Sequence, residues 1–276
     1  MTEPLLRIEG LNVAFPTAQG QARVVRDFAL TMGREKIGVV GESGSGKSMT
    51  ARAILGLVRR PGLVEARRME LGGTDLMRLR EKDYRKLRGK RVAMILQDPK
   101  FSLNPVQRIG AQIEETILLH EKTGARARKA RALAMLEAVG IDDPPRVHAA
   151  YPHELSGGMG QRAMIAAMLV GSPDLLIADE PTSALDVLMR DQVLALIDDL
   201  ARRQGFGLIL ISHDLNMVAR FCDRIVVMRA GRIVETLAAG ALGEAQDPYT
   251  RGLIACLPGA QTRGRDLPVL AREASQ

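Results

Sequence analysis

"KIGVVGESGSGKSMTARAILGLV", Lys36 to Val58, runs from an apolar stretch through a glycine- and serine-rich loop into a second apolar stretch. The first stretch reads as a strand and the last as a helix. Between them "GESGSGKS", Gly41 to Ser48, matches the pattern G-x-x-x-x-G-K-[ST]. In a strand, loop and helix context that pattern is a phosphate cradle. Its glycines let the backbone take positive φ and turn N–H groups inward, and the helix N-terminus adds partial positive charge. Gly41, Glu42, Ser43, Gly44, Ser45 and Gly46 are therefore expected to line a polyphosphate, with Lys47 against the β and γ phosphates and the Ser48 hydroxyl reaching Mg2+.

Strand-like runs continue beyond the cradle. "VAMILQ", "DLLIADE", "GLILIS" and "RIVVM" recur with helical segments between them, which predicts an α/β core with parallel strands. Upstream, "LLRIEGLNVAF" and "RVVRDFAL" are polar enough to face water on one side and predict a small antiparallel layer. From Gln97 to about Ser172 the strand runs stop. "RIGAQIEETILLHEK", "RARKARALAMLEAVG" and "GQRAMIAAMLVG" read as helices, punctuated by Pro99, Pro105, Pro144, Pro145 and Pro152, so a helical insertion is expected there. After Gly231 the pattern predicts a closing hairpin, a short helix and a polar tail.

Two carboxylates end one core run. Four apolar residues precede Asp179 and Glu180, which puts both at the C-terminal end of a buried strand beside the cradle. Asp179 is expected to hold Mg2+, directly or through water, and Glu180 to orient or deprotonate the water attacking the γ-phosphate. His213 follows the run "LILIS", where it either reaches the γ-phosphate or is a satisfied structural histidine. Gln97 ends "VAMILQ", a strand-terminal amide placed to sense Mg2+ or water.

Composition narrows the class. The 276 residues are 46% hydrophobic with 3% aromatic and no Trp, so the core relies on aliphatic packing. Lys and Arg number 39 against 32 Asp and Glu, a formal charge of +7, and the sequence pI is near 9.8. The positive charge is scattered in small groups and reads as solvated surface, which gives little support to a nucleic-acid partner. Cys222 and Cys256 are not spaced as a metal clip or a disulfide framework, so a reducing compartment is expected. "MTEPLLRIEG" lacks a signal-peptide pattern, and "AMIAAMLV" falls short of the ~18 apolar residues a membrane-spanning helix needs. Any membrane association is expected to be peripheral.

A second glycine turn, "ELSGGMGQR", Glu154 to Arg162, repeats the anion-binding chemistry with the Ser156 hydroxyl, the Gly157 and Gly158 amides and a helix N-terminus. If the helical insertion projects from the core, this turn cannot cover its own cradle. A head-to-tail, two-fold pair resolves the problem, each chain's turn covering the γ-phosphate on the other chain.

Taken together, "GESGSGKS", "LQDP", "LSGGMGQR", "LLIADEP", "SALD" and "ISHD" resemble, in order and spacing, the motifs of ATP-binding cassette (ABC) ATPases across essentially the whole chain. The resemblance implies the ABC ATPase fold: a P-loop NTPase (RecA-like) core, an N-terminal antiparallel layer and a helical subdomain. It makes Asp186 part of the D-loop, Ser183 to Asp186, and His213 the H-loop residue. It also matches Phe15 to the position whose ring stacks on adenine, while an ordinary core phenylalanine remains the other reading. "LQDPKFSLNPV", "YPHELSGGM", "ADEPTSALDV" and "DPYTRGLIACLP" resemble the oligopeptide, dipeptide and nickel importer branch.

That branch implies ATP and Mg2+ as cofactors, a second ATPase subunit, identical or a sister, and two transmembrane permease subunits. It further implies an extracytoplasmic solute-binding protein and a location on the cytoplasmic face of the bacterial inner membrane. The expected organisation is one ATPase domain over residues 5–258, with core 5–97 and 173–236 and helical subdomain 98–172, and a C-terminal extension over 237–276. Peptide uptake is the expected function, with nickel or another small solute as the alternative. A DNA-associated cassette is disfavoured because heptads and paired Cys motifs are missing from the sequence; an exporter or lipoprotein-extraction ATPase is a third reading. Two departures stand out. Gly160 replaces a larger residue in the signature, predicting a looser helix start, and Cys256 is alone in the tail, so no iron–sulfur centre is expected.

Overall fold

A computed structural model of the chain describes residues 3–96, 102–183 and 186–257, with Val187 and Leu188 described in their backbone only. The antiparallel layer comes first, from β1 (Leu6–Thr17) and β2 (Gly20–Met32), which pair from Leu6 with Met32 to Thr17 with Gly20. Three short strands, β4 (Leu63–Glu65), β5 (Arg68–Leu71) and β6 (Thr74–Asp75), extend it to five, because β4 and β5 both pair with β1. The sequence reading missed these three. They are too short to display period-2 alternation, although Gly72-Gly73 between β5 and β6 is a hairpin signal.

The second sheet is the parallel core. β3 (Lys36–Val40), β7 (Val92–Ile95), β8 (Leu175–Asp179), β9 (Gly207–Ile211) and β10 (Arg224–Arg229) stand in the order β10-β3-β9-β8-β7. β11 (Arg232–Ala238) closes the edge antiparallel to β10. The predicted hairpin is therefore shifted: Ala230-Gly231 is its turn and β10 its first arm. Continuous apolar runs arise because both sheet faces are covered. Ile37, Ile177, Ile209 and Val226 pack toward the antiparallel layer, while Leu176, Ala178, Leu208, Leu210, Ile225 and Val227 pack with the helices of the other face. Each fully buried aliphatic side chain contributes about 1.5–3 kcal/mol.

Helices fill the connections. α1 (Lys47–Ile54) follows the cradle but is shorter than the predicted run through Val58. Leu57 N donates to Arg52 O and Gly56 N to Ala53 O, a Schellman pattern that stops the helix. α2 (Glu81–Leu87) precedes β7. The predicted helical stretch contains α3 (Ile109–His120), α4 (Ala125–Ala138), α5 (Pro144–Ala149) and α6 (Gly157–Leu169). Ile113, Ile117, Ala132, Leu136 and Val147 are wholly buried where these helices meet. α7 (Val187–Gln204), α8 (Leu215–Phe221) and α9 (Pro248–Ala255) follow in the later part of the chain. None of the described helices is long and apolar enough to cross a membrane.

Candidate active site

Parallel register brings the site together. Val39 pairs with Ile211 and Ile211 with Asp179, so the C-terminal ends of β3, β9 and β8 stand level. The cradle, the two carboxylates and His213 emerge from that common edge, where ligands of open α/β sheets bind.

Two glycines shape the cradle under tight constraint. Gly41 sits at φ 150°, and a Cβ there would lie 2.1 Å from the Met228 carbonyl oxygen. Gly46, at φ 100°, caps α1, and its Cβ would lie 2.6 Å from the Val24 carbonyl oxygen. The loop is further tied to the β10–β11 turn by Gly231 N donating to Ser45 O at 3.1 Å. Lys47 is 7% exposed, its ammonium donating to Gly41 O and Glu42 O at 2.8 Å each and to Ser45 Oγ at 3.3 Å. Burial pushes its pKa down, countered by Glu180, Asp179 and Glu42.

Ser48 Oγ donates to Asp179 Oδ1 at 3.0 Å. Burial pushes the Asp179 carboxyl above the ordinary range; the Ser48 bond opposes that shift and the Glu180 charge adds to it. Glu180 holds φ 49°, in the left-handed region that costs a non-glycine residue of order 1–3 kcal/mol, and its N–H donates to Ile211 O at 2.9 Å. That backbone turn carries its carboxylate out of β8 toward His213, whose Nδ1 lies 3.3 Å from Glu180 Oε1. With the carboxylate ionised, the ring nitrogen is the donor. The histidine side chain is 68% exposed, so its environment is that of a site facing solvent, not of a core residue.

Phe15 lies in β1 opposite Ala22, two residues from the Val24 that abuts Gly46, and its half-buried ring packs near Val58 and Gly62. The ring is therefore only partly covered. Gln97 lies outside the described residues, as do Ala184 and Leu185 of the D-loop.

The second glycine turn starts α6 three residues before the predicted helix, because Ser156 is its N-cap, accepting from Met159 N at 3.4 Å. A Cβ on Gly157 would meet nothing within 4 Å, whereas one on Gly158 would lie 2.5 Å from Met189 Cε. Gly160 keeps the helical bond to Ser156 O at 2.9 Å, so the expected loosening is not seen in the backbone. Asp186 caps α7, accepting from Met189 N at 2.9 Å. Among the described residues no hydrogen bond links the Ser156 turn to the Gly41–Ser48 loop of the same chain.

Two positions in this neighbourhood escaped the sequence reading. Gln161, 1% exposed, donates from Nε2 to Pro181 O at 2.7 Å and joins the start of α6 to the segment after Glu180. Arg190 of α7 pairs at 2.7 Å with Asp214, which also caps α8 immediately after His213. Polar residues on helices give no sequence signal of their partners; only a buried amide without a local acceptor hints at one.

Comparison with known proteins agrees with this geometry. The ABC transporter family matches residues 26–183. The dipeptide transport ATP-binding protein DppD of Escherichia coli K12 is 45% identical over 256 residues, spanning 92% of this chain and 78% of DppD. The oligopeptide transport ATP-binding protein OppD of Bacillus subtilis 168 is 44% identical over 266 residues, 95% of this chain and 74% of OppD. In fold, the chain is similar to the ATP-binding cassette MJ0796, solved as a dimer in a post-hydrolysis state with ADP and Pi, with a TM-score of 0.75 and 24% identity over 85% of this chain and 98% of that one. With its phosphate cradle, its paired carboxylates at the end of β8 and a family match that takes in both, the chain is an ATP-binding cassette ATPase of the ABC transporter family.

Proposed function

We propose that this chain is the energising subunit of a peptide importer, acting as one of a pair of ATPases beneath two permease subunits on the cytoplasmic face of the inner membrane. The observation that carries the reading is the 45% identity to a dipeptide transport ATP-binding protein over 92% of the chain. The division into core 5–97 and 173–236, helical subdomain 98–172 and C-terminal extension 237–276 belongs to the same reading.

ATP lies on the Gly41–Ser48 loop, its β and γ phosphates drawn to the Lys47 ammonium, with Phe15 against the adenine. Ser48 and Asp179 supply hard oxygen donors side by side, a set that suits Mg2+, which keeps several waters and takes one or two protein oxygens plus substrate phosphates. Mg2+ bound there offsets phosphate charge. Gln97 is assigned beside it on the strength of its motif alone. Glu180 accepts the proton of the attacking water, and His213, in contact with that carboxylate, orients it and faces the γ-phosphate. Ser156, Gly157, Gly158 and Asp186 complete the site of the partner chain; this assignment is supported by the lack of any bond between the Ser156 turn and its own cradle among the described residues. ATP thereby joins two subunits and hydrolysis parts them.

The pH dependence follows from the two shifted groups. Asp179 is raised, so on acidification it takes up a proton, and ceases to be a metal ligand, at a higher pH than an ordinary aspartate. Lys47 is lowered, so on alkalinisation it loses its charge at a lower pH than an ordinary lysine. Affinity for Mg-ATP is expected to fall at both ends of a window narrower than unperturbed groups would give, as measured by nucleotide titration across pH. Equal affinity well below neutrality and at neutral pH, down to the range of a free aspartate, contradicts the assignment of Asp179.

Function is tested by purifying the chain with the membrane proteins that accompany it in detergent, reconstituting them with their solute-binding protein, and measuring ATP hydrolysis. Stimulation by di- or oligopeptides is expected. Stimulation by nickel instead of peptide moves the chain to the metal-uptake alternative, and stimulation by DNA without any permease refutes the transport reading.

A further inference from the structure

The phosphate cradle is held from outside by the C-terminal helix. Glu42 N–H, in the second position of the loop, donates to the Tyr249 hydroxyl of α9 at 2.9 Å, across 207 residues of sequence. The carbonyl of the same residue accepts from the Lys47 ammonium at 2.8 Å and from Ser45 N at 3.2 Å. One residue of the loop is thus gripped by Tyr249 at its N–H and by the Lys47 ammonium at its carbonyl.

Tyr249 is itself fixed. It is 7% exposed, and the Arg229 guanidinium lies 4.9 Å from its ring centroid. Asp247 caps α9 by accepting from Tyr249 N and Thr250 N at 2.9 and 3.2 Å. Glu235 of β11 in turn accepts from Gln246 N and Asp247 N at 2.7 and 3.3 Å, tying the start of α9 to the core sheet. The chain of contacts runs from β11 through the α9 cap and the tyrosine ring to the loop.

We propose that Tyr249 is a positioning residue of the nucleotide site: its hydroxyl anchors the Glu42 amide, holds the cradle in its phosphate-accepting shape and thereby sets nucleotide affinity. A triphosphate competes with Glu42 O and Gly41 O for the Lys47 ammonium, so on binding the Glu42 carbonyl gives up its strongest donor. The amide-side bond to Tyr249 is independent of that exchange and remains to keep the loop from relaxing. A loop already held open loses less conformational freedom when it closes on phosphate, which raises affinity without adding a contact to the ligand. The proposal rests on the reading that this loop binds the triphosphate.

Tyr249→Phe removes the hydroxyl and keeps the ring. In the full-length chain, titrated with Mg-ATP, it is expected to weaken binding about three- to tenfold, the loss appropriate to one neutral hydrogen bond. Hydrogen exchange at the Glu42 amide is expected to accelerate while residues 250–255 stay protected, and kcat at saturating ATP stays unchanged. Arg251→Ala, on the exposed side of the same helix, is expected to change none of these. Binding within about twofold of the unaltered chain, unaltered exchange at Glu42, loss of protection throughout α9, or an equal effect of Arg251→Ala each overturns the proposal. Lys47→Ala run alongside separates the two levels of failure. If it too leaves nucleotide binding intact, the assignment of the loop is wrong; if it alone weakens binding, only the role of Tyr249 is.

Discussion

Glu180→Gln is expected to lower the rate of ATP hydrolysis by about 10²–10⁴-fold, the range that general-base catalysis supplies, without loss of nucleotide binding. The substitution is nearly isosteric. An amide oxygen still accepts from His213 Nδ1, and the backbone at φ 49° is as accessible to Gln as to Glu. What disappears is the ability to take a proton from water. The electrostatics favour retention of nucleotide, because Glu180 is one of two adjacent carboxylates that the proposed site sets against the triphosphate, and its charge is part of what pushes Asp179 upward. Removing it lets Asp179 ionise more readily as a metal ligand. Phosphate release measured beside trapped nucleotide therefore separates the two steps: slow release with ATP retained is the expected result, and near-normal turnover removes Glu180 from the mechanism.

Gly157→Asp is expected to abolish the nucleotide-bound pair while leaving the folded subunit as stable as before. Gly157 is the first residue of α6, and a Cβ there meets no atom within 4 Å, so the side chain enters open space. An acidic residue in the first helical turn is favourable to the helix by about 0.3–1 kcal/mol. In the proposed pair the same carboxylate would lie beside the γ-phosphate held by the partner. Like-charge juxtaposition across an interface costs several kcal/mol, and each ~1.4 kcal/mol is a factor of ten. Turnover is expected to fall by about 10²-fold or more, and the ATP-dependent dimer that Glu180→Gln alone is expected to accumulate is expected to be absent when both changes are combined. Thermal unfolding of the isolated subunit serves as the control. A dimer that survives the added charge shows that the Ser156 turn does not meet phosphate, and the sandwiched arrangement fails with it.

Much of the architecture was legible because its signals are local. Five core strands were read from continuous apolar runs, which report burial on two faces, and the cradle from a contiguous glycine pattern. Three short strands between Leu63 and Asp75 were not, since two to four residues carry no period. Helix ends moved for identifiable reasons: Ser156 starts α6 earlier than its apolar face suggested, and a Schellman turn ends α1 before Val58. The hairpin at the sheet edge was placed one strand too late because β10 also reads as a core strand.

The candidate site divides in the same way. Lys47, Ser48, Asp179, Glu180 and His213 could be named from sequence because each sits within two residues of a strand end or a glycine turn, where the neighbours themselves state the backbone geometry. That Ser48 bonds Asp179, that Glu180 touches His213, that Gln161 holds the Pro181 carbonyl and that Tyr249 holds the Glu42 amide required the folded chain. Sequence by itself determined the fold class, the nucleotide chemistry and the family, since those are written in short contiguous motifs and in hydrophobic period. Tertiary structure alone decided which distant side chains meet and how burial shifts their charge. Those outcomes depend on strand order and register, and register is set by packing over the whole sheet, not by any stretch a reader can isolate.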